Sequence, residues 1–173
     1  MVDKSVCITL LGPPGTGKTR ALYAARHYAR GKLLADAING EVECLYFKPT
    51  EFERRQETDA EAIKRVVSSA DRVKIIDEVG DIRSHRYDRG WLDAIIAYPH
   101  VLGIDDIGCI VPNEWVLECI YHLSNKRRSQ SVPTIWTSNL TRQQFRDTFG
   151  AAIASRILGG VVLEVEGEDW RLK

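Results

Sequence analysis

The chain lacks several things that would have set its class at once. Its four cysteines, Cys7, Cys44, Cys109 and Cys119, are spread over 173 residues with no C-x-x-C pair and no Cys/His cluster at zinc spacing. Neither a disulfide framework nor a structural metal follows, and reduced, buried thiols are the expectation. It has no net charge, 24 Lys plus Arg against 24 Asp plus Glu, so any contact with nucleic acid or anionic lipid has to be a local patch. It has no long apolar run. The first, Val6 to Leu11, is too short to span a bilayer and carries no small-residue cleavage signature. No membrane partner and a cytoplasmic, reducing compartment are therefore expected. Internal repeats, low-complexity stretches and linkers rich in Pro, Gly and Ser are missing as well, and this length suits one core.

What is present alternates in type. Val6-Cys7-Ile8-Thr9-Leu10-Leu11 is a β-branched apolar run that stops at Gly12-Pro13-Pro14-Gly15, which predicts a buried strand entering a tight loop. Helical spacing of Ala21, Leu22, Ala25, Tyr28 and Ala29 follows from Lys18 onward. Further strands are predicted at Cys44 to Phe47, Val73 to Ile76, Val101 to Ile104, Thr134 to Thr137 and Val161 to Leu163. Helices are expected over Asp59 to Ser69 and Glu114 to Leu123, the latter with an apolar stripe at Val116, Cys119, Ile120 and Leu123. Thr141 followed by Gln144 has capping-box form and starts a helix expected to run to Phe149. The fold class is α/β: a parallel sheet flanked by helices, with ligands gathering at the C-terminal strand ends.

Gly12-Pro13-Pro14-Gly15-Thr16-Gly17-Lys18-Thr19 matches the phosphate-binding pattern G-x-x-x-x-G-K-S/T in full, between a predicted strand and a predicted helix. The glycines let the backbone curl so that N–H groups and a helix N-terminus face phosphates. Lys18 reaches the β and γ phosphates of ATP, and the Thr19 hydroxyl ligates Mg2+. The loop alone does not separate kinases, GTPases and ATPases.

The acids decide between those classes. Val101-Leu102-Gly103-Ile104-Asp105-Asp106 is an apolar strand ending in two carboxylates. As the end of a parallel neighbouring strand it would set Asp105 at the Thr19-bound Mg2+ and Asp106 at the γ-phosphate to orient water. Val73 to Glu78 also reads as a strand ending in two acids, but Lys74 interrupts it. Asp77 and Glu78 are accordingly expected to be capping or surface acids. Thr137-Ser138-Asn139 closes the next strand; either Asn139 holds the attacking water as a polar sensor, or Ser138 and Asn139 only cap a loop.

In order, Gly12 to Thr19, Ile104-Asp105-Asp106-Ile107-Gly108, Pro133 to Leu140, Ala154-Ser155-Arg156-Ile157 and Asp169-Trp170-Arg171-Leu172 resemble the AAA+ ATPases of the DnaC/IstB group. These are helicase loaders and ATP-binding helpers of transposases, and the likeness runs from Val6 to the end. The resemblance implies an AAA+ P-loop domain that hydrolyses ATP and favours Asn139 as the sensor. It further implies ATP bound between the subunits of a homo-oligomer. Arg156 then reaches the γ-phosphate held by a neighbouring subunit, and Arg171 stands as a second sensor arginine at the nucleotide. It also implies partners: single-stranded DNA met by basic residues such as Lys126-Arg127-Arg128 or the stretches Arg54-Arg55 and Arg83 to Arg89, and a replicative helicase or a transposase.

The departures from the group carry their own expectations. Asp106 stands where most AAA+ proteins have Glu, which implies slow hydrolysis that acts as a switch. The long stretch between Lys18 and Asp105 suggests a strand-helix unit inserted at 43 to 70 within a single core of 1 to 173. The span leaves no room for a C-terminal helical lid or a separate N-terminal module, which weakens helicase loading specifically. Alternative readings are a viral superfamily 3 replication helicase, a small-molecule P-loop kinase and a non-hydrolysing assembly factor.

Overall fold

Apolar segments that alternate with amphipathic ones have one economical solution, a sheet buried under helices. A computed structural model describes residues 7–27 and 73–169, and they adopt that solution. The strands are β1 (Cys7–Leu11), β2 (Val73–Asp77), β3 (Val101–Asp105), β4 (Thr134–Ser138) and β5 (Val161–Glu164). They form one parallel sheet in the order β2-β3-β4-β1-β5. Helix α1 occupies 18–27, and α2 (Arg89–Ile96), α3 (Glu114–Ser129) and α4 (Arg142–Ile157) follow. The chain divides into two compact units, Met1–Tyr23 with Lys74–Lys173, and Ala24–Val73. The expected strand at 44–47, the helix at 59–69 and the insertion at 43–70 lie outside the described residues, as do Arg54, Arg55 and Arg171.

Burial explains which runs became central strands. β3, which reads Val-Leu-Gly-Ile-Asp, is almost wholly enclosed, whereas β2 lies at the sheet edge with Lys74 and Asp77 in solvent. Lys74 therefore does not break the strand; it marks the wet face of an edge. Gly103 sits at the centre of β3 because Leu22 of α1 lies so close that a Cβ there would come within 2.6 Å of its side chain. The core gathers Leu102, Ile104, Val116, Ile120, Trp136, Phe145 and Ile157, all fully or nearly fully buried.

The helix ends hold two differences from the expectation. α3 runs six residues beyond Leu123, to Ser129, and takes in the three cations that had been expected to follow it. α4 opens with the full reciprocal capping box of Thr141 and Gln144, and its first stretch does end at Phe149, because Gly150 leaves helical geometry at φ 76. A second stretch then continues to Ile157 and carries Arg156.

Candidate functional site

The phosphate-loop pattern forms the loop it predicts. After Leu11 the chain turns through Gly12 to Gly17 and enters α1 at Lys18, with Ala21 N–H bonding back to the Gly17 carbonyl at 2.8 Å. Gly15 and Gly17 take φ of 75° and 91°, backbone that a side chain would strain. Lys18 is buried, and its ammonium donates to the Gly12 carbonyl at 2.8 Å and the Pro13 carbonyl at 2.7 Å. The segment after β5 lies over this loop. Val165 N–H bonds the Leu11 carbonyl at 2.7 Å, and the Asp169 carboxylate sits where a Cβ on Gly15 would have to go.

Both acids arrive at the loop, though not from an adjoining strand as expected: β4 stands between β1 and β3. Thr19 Oγ1 nevertheless donates to Asp105 Oδ1 at 3.1 Å. The link across the gap is Thr137, a residue to which the sequence reading attached no role. It is in register with Leu10 of β1, and its buried hydroxyl donates to Asp105 Oδ1 at 2.5 Å while accepting Asp106 N–H at 2.8 Å. Its position one residue before Ser138 in a strand-end polar triplet was the available signal.

Asp106 adopts φ 52, left-handed backbone that Asp and Asn enter more readily than other residues with a side chain. Asn139 Nδ2 donates to Asp106 Oδ1 at 2.5 Å, and Ser138 turns its hydroxyl to the Ile107 carbonyl at 2.6 Å. Lys18, Thr19, Asp106, Thr137 and Asn139 line one cleft of about 680 Å³ with Gly15 to Gly17 and Tyr23. That volume lies in the range of a small-molecule site. Thr19 and Asp105 offer two hard oxygen atoms side by side, the donor type that Mg2+ takes. Among the described residues no group of three or more His, Cys, Asp or Glu forms a cage for a metal. A magnesium ion here would need oxygens from a nucleotide and water, as such ions usually do.

The other sequence candidates sit apart from the cleft. Arg156 is at the opposite strand end, beside Cys7, Thr134 and Trp136. Its guanidinium stacks 4.8 Å from the Tyr121 ring, and its Nε donates to Asn125 at 3.0 Å. Arg127 corrects the reading of Lys126-Arg127-Arg128 as a basic surface, because it is fully buried. It donates from all three nitrogens, to Thr134 Oγ1 at 3.0 Å, Tyr98 O at 2.7 Å, His100 O at 2.7 Å and Pro133 O at 3.0 Å. Burial lowers its pKa to about 10, so it stays a cation at neutral pH. Helical spacing held the signal, since Arg127 continues the stripe Val116, Ile120, Leu123.

Glu78 is a second correction. It is no surface acid but fully buried, paired with Arg83 at 2.5 Å, while Asp77 does cap the π-helical turn Glu78–Ile82. Cys109 is exposed rather than buried.

No protein-family model and no curated protein matches the chain. Solved structures do. AMPPCP-bound DnaA from Aquifex aeolicus superposes with a TM-score of 0.62 at 17% identity, over 94% of this chain and 41% of that one. The DnaC helicase loader gives 0.58 at 19%, over 95% and 80%, and DnaI gives 0.57 at 19%, over 94% and 71%. This chain thus spans about two fifths of that DnaA chain. At such identities the likeness is one of fold: with the parallel sheet, the phosphate loop and the strand-end acids in place, the chain has an α/β P-loop fold like that of those structures.

Proposed function

We propose that the protein binds and hydrolyses ATP as a single AAA+ core, 1 to 173, that assembles with copies of itself and serves DNA replication as helicase loaders do, or transposition. The observation that carries this reading is the bond between Thr19 and Asp105, with Asp106 and Asn139 paired at the same cleft. Lys18 exchanges two loop carbonyls for phosphate oxygens, stronger acceptors for an ammonium. Thr19 and Asp105 would hold a Mg2+, which would supply charge neutralisation at the phosphates. Asp106 accepts a proton from the attacking water, and Asn139 keeps that carboxylate aimed. Asp is shorter than Glu, which suits a slow switch.

Arg156 lies too far from its own cleft to act there and is assigned to the cleft of a neighbouring copy, where such an arginine is worth roughly 10³ to 10⁵ in rate. Arg171 is assigned to the nucleotide as a sensor. Single-stranded DNA is the proposed partner, met by Arg86 and Tyr87. Tyr87 is 72% exposed, with the Arg86 guanidinium 4.7 Å from its ring, a pairing suited to stacked bases and phosphates. A replicative helicase or a transposase is the proposed protein partner.

The test is ATP turnover and light-scattering mass, with and without single-stranded DNA, for the wild type, Lys18→Ala and Arg156→Ala. Turnover lost in both variants, with nucleotide binding kept in Arg156→Ala, supports the proposal. Normal assembly and hydrolysis by Arg156→Ala removes the neighbouring-subunit role, and background turnover of the wild type under all conditions removes the ATPase.

A further inference from the structure

Asp106 holds left-handed backbone at φ 52, and its segment is fixed by hydrogen bonds from several elements. Four anchors belong to β4 and its end: Thr137 Oγ1 on the Asp106 N–H, Asn139 on the carboxylate and, one residue on, the Thr137 carbonyl on the Ile107 N–H at 3.0 Å and Ser138 on the Ile107 carbonyl. A fifth lies on the opposite side. Glu78, just past β2, is fully buried. Its Oε2 accepts the Gly108 N–H at 2.6 Å, and its Oε1 accepts Arg83 Nη2 at 2.5 Å and Nε at 3.2 Å. Arg83, whose side chain is 22% exposed, also reaches the same loop, donating to the Val111 carbonyl at 3.1 Å.

A carboxylate is seldom buried completely, and here every hydrogen bond it accepts comes from one arginine and one loop amide. Gly108 is two residues past Asp106 and is itself packed hard against Leu140 and Phe149. Fixing its amide adds a hold from the β2 side to residues 106 and 107, which β4 otherwise holds from one side only. We propose that Glu78, braced by Arg83, is a positioning residue for Asp106: it clamps the loop after β3 from the β2 side, so that the carboxylate stays at the cleft with Asn139. The proposal rests on the hydrolytic reading above, in which Asp106 acts on the water. Glu78 touches neither the cleft nor the phosphate loop, so its effect falls on turnover and not on nucleotide affinity.

The experiment compares the full chain as wild type, Glu78→Ala and Glu78→Gln in three measurements: amide exchange over 106–111, affinity for a fluorescent ATP analogue, and ATP turnover at saturating nucleotide. Glu78→Ala is expected to speed exchange of 106–111 and cut turnover, each by about tenfold or more, with affinity within about twofold of wild type. Glu78→Gln keeps an acceptor for the Gly108 amide and is expected to recover most of both losses. Unchanged exchange over 106–111 in Glu78→Ala overturns the proposal, as does unchanged turnover beside altered exchange. Should Glu78→Ala fail to fold, a Gly108 amide that exchanges freely in the wild type overturns it equally. If the wild type binds ATP but never hydrolyses it, the hydrolytic reading fails by itself, and the exchange data alone then decide whether Glu78 clamps the loop.

Discussion

Thr19 and Asp105 hydrogen-bond to each other at 3.1 Å although Thr19 lies in α1, beyond the loop that follows β1, and Asp105 ends β3, two strands that β4 keeps apart. Thr137 closes the gap by donating to the same carboxylate oxygen. Asp105 is thus oriented from two sides, by Thr19 at the phosphate loop and by Thr137, which itself lines the cleft.

Replacing Thr137 by Val keeps the shape and removes the hydroxyl. Asp106 N–H then loses its acceptor, which costs about 1–3 kcal/mol for a buried donor. Calorimetry is expected to show a melting point lowered by roughly 2–4 °C for each kcal/mol in a chain of this size. Mg2+-dependent nucleotide binding is expected to weaken at the same time, because Asp105 is no longer held.

Asp106→Asn separates binding from chemistry. Asn tolerates left-handed backbone at least as well as Asp and can still bond Asn139, so stability should stay within about 0.5 kcal/mol. Proton acceptance is lost, and turnover should fall by about 10² or more. An Asn variant that hydrolyses at the wild-type rate would remove Asp106 from the mechanism.

Arg127→Ala strips a donor from five backbone carbonyls, those of Ile95, Ile96, Tyr98, His100 and Pro133, and leaves a large void. A loss of about 3–5 kcal/mol is expected in urea unfolding, comparable to breaking other buried charged networks. Arg127→Lys should recover little of it, since an ammonium cannot reproduce the fork. Single-stranded DNA binding by the folded fraction should not change.

The Asp169 carboxylate pressed against Gly15 opposes a triphosphate in the same loop. Removing its charge in Asp169→Asn is expected to tighten ATP binding several-fold, from about 1 kcal/mol of relieved repulsion per charge at about 4 Å in a site open to water. Equal or weaker affinity in a fluorescence titration would show that the carboxylate does not act on the phosphates.

Cys109 offers a reporter of the site's charge. Its thiol pKa is raised by partial burial and then by the Glu78 and Asp106 carboxylates. A raised pKa means less thiolate at a given pH, so alkylation at pH 8 should be slower than for a free cysteine and climb as pH rises. Asp106→Asn removes one of the acids and should speed it, as read by peptide mass spectrometry.

The sheet, the phosphate loop and both site acids were legible because each is written locally: a β-branched run, a glycine pattern, two carboxylates at a strand end. That Asn139 stands at the cleft against Asp106 follows from its place at the end of β4, whereas the strand-end triplet alone left it between sensor and loop cap. What could not be read were relations between elements. Nothing in one stretch of chain says that Glu78 is enclosed, because its partners Arg83 and Gly108 are brought to it by the π-helical turn and by the loop after β3. Arg127 was misjudged for a different reason. Charge was weighed above periodicity, and at that position the stripe on α3 prevails, because the carbonyls at the start of β4 and after α2 need a donor more than the guanidinium needs water.

Arg156 lies beside Cys7, where β1 begins, and the phosphate loop starts where β1 ends, a separation of about 16 Å at 3.3 Å per residue. In the assembly proposed above, each copy gives its arginine in one direction and receives one from the other, a head-to-tail join. An open row built that way always has one end copy holding nucleotide that no neighbour completes, whereas a closed ring has none. Specific activity per copy would then climb with row length and level off at closure, so the protein would in effect count its own members.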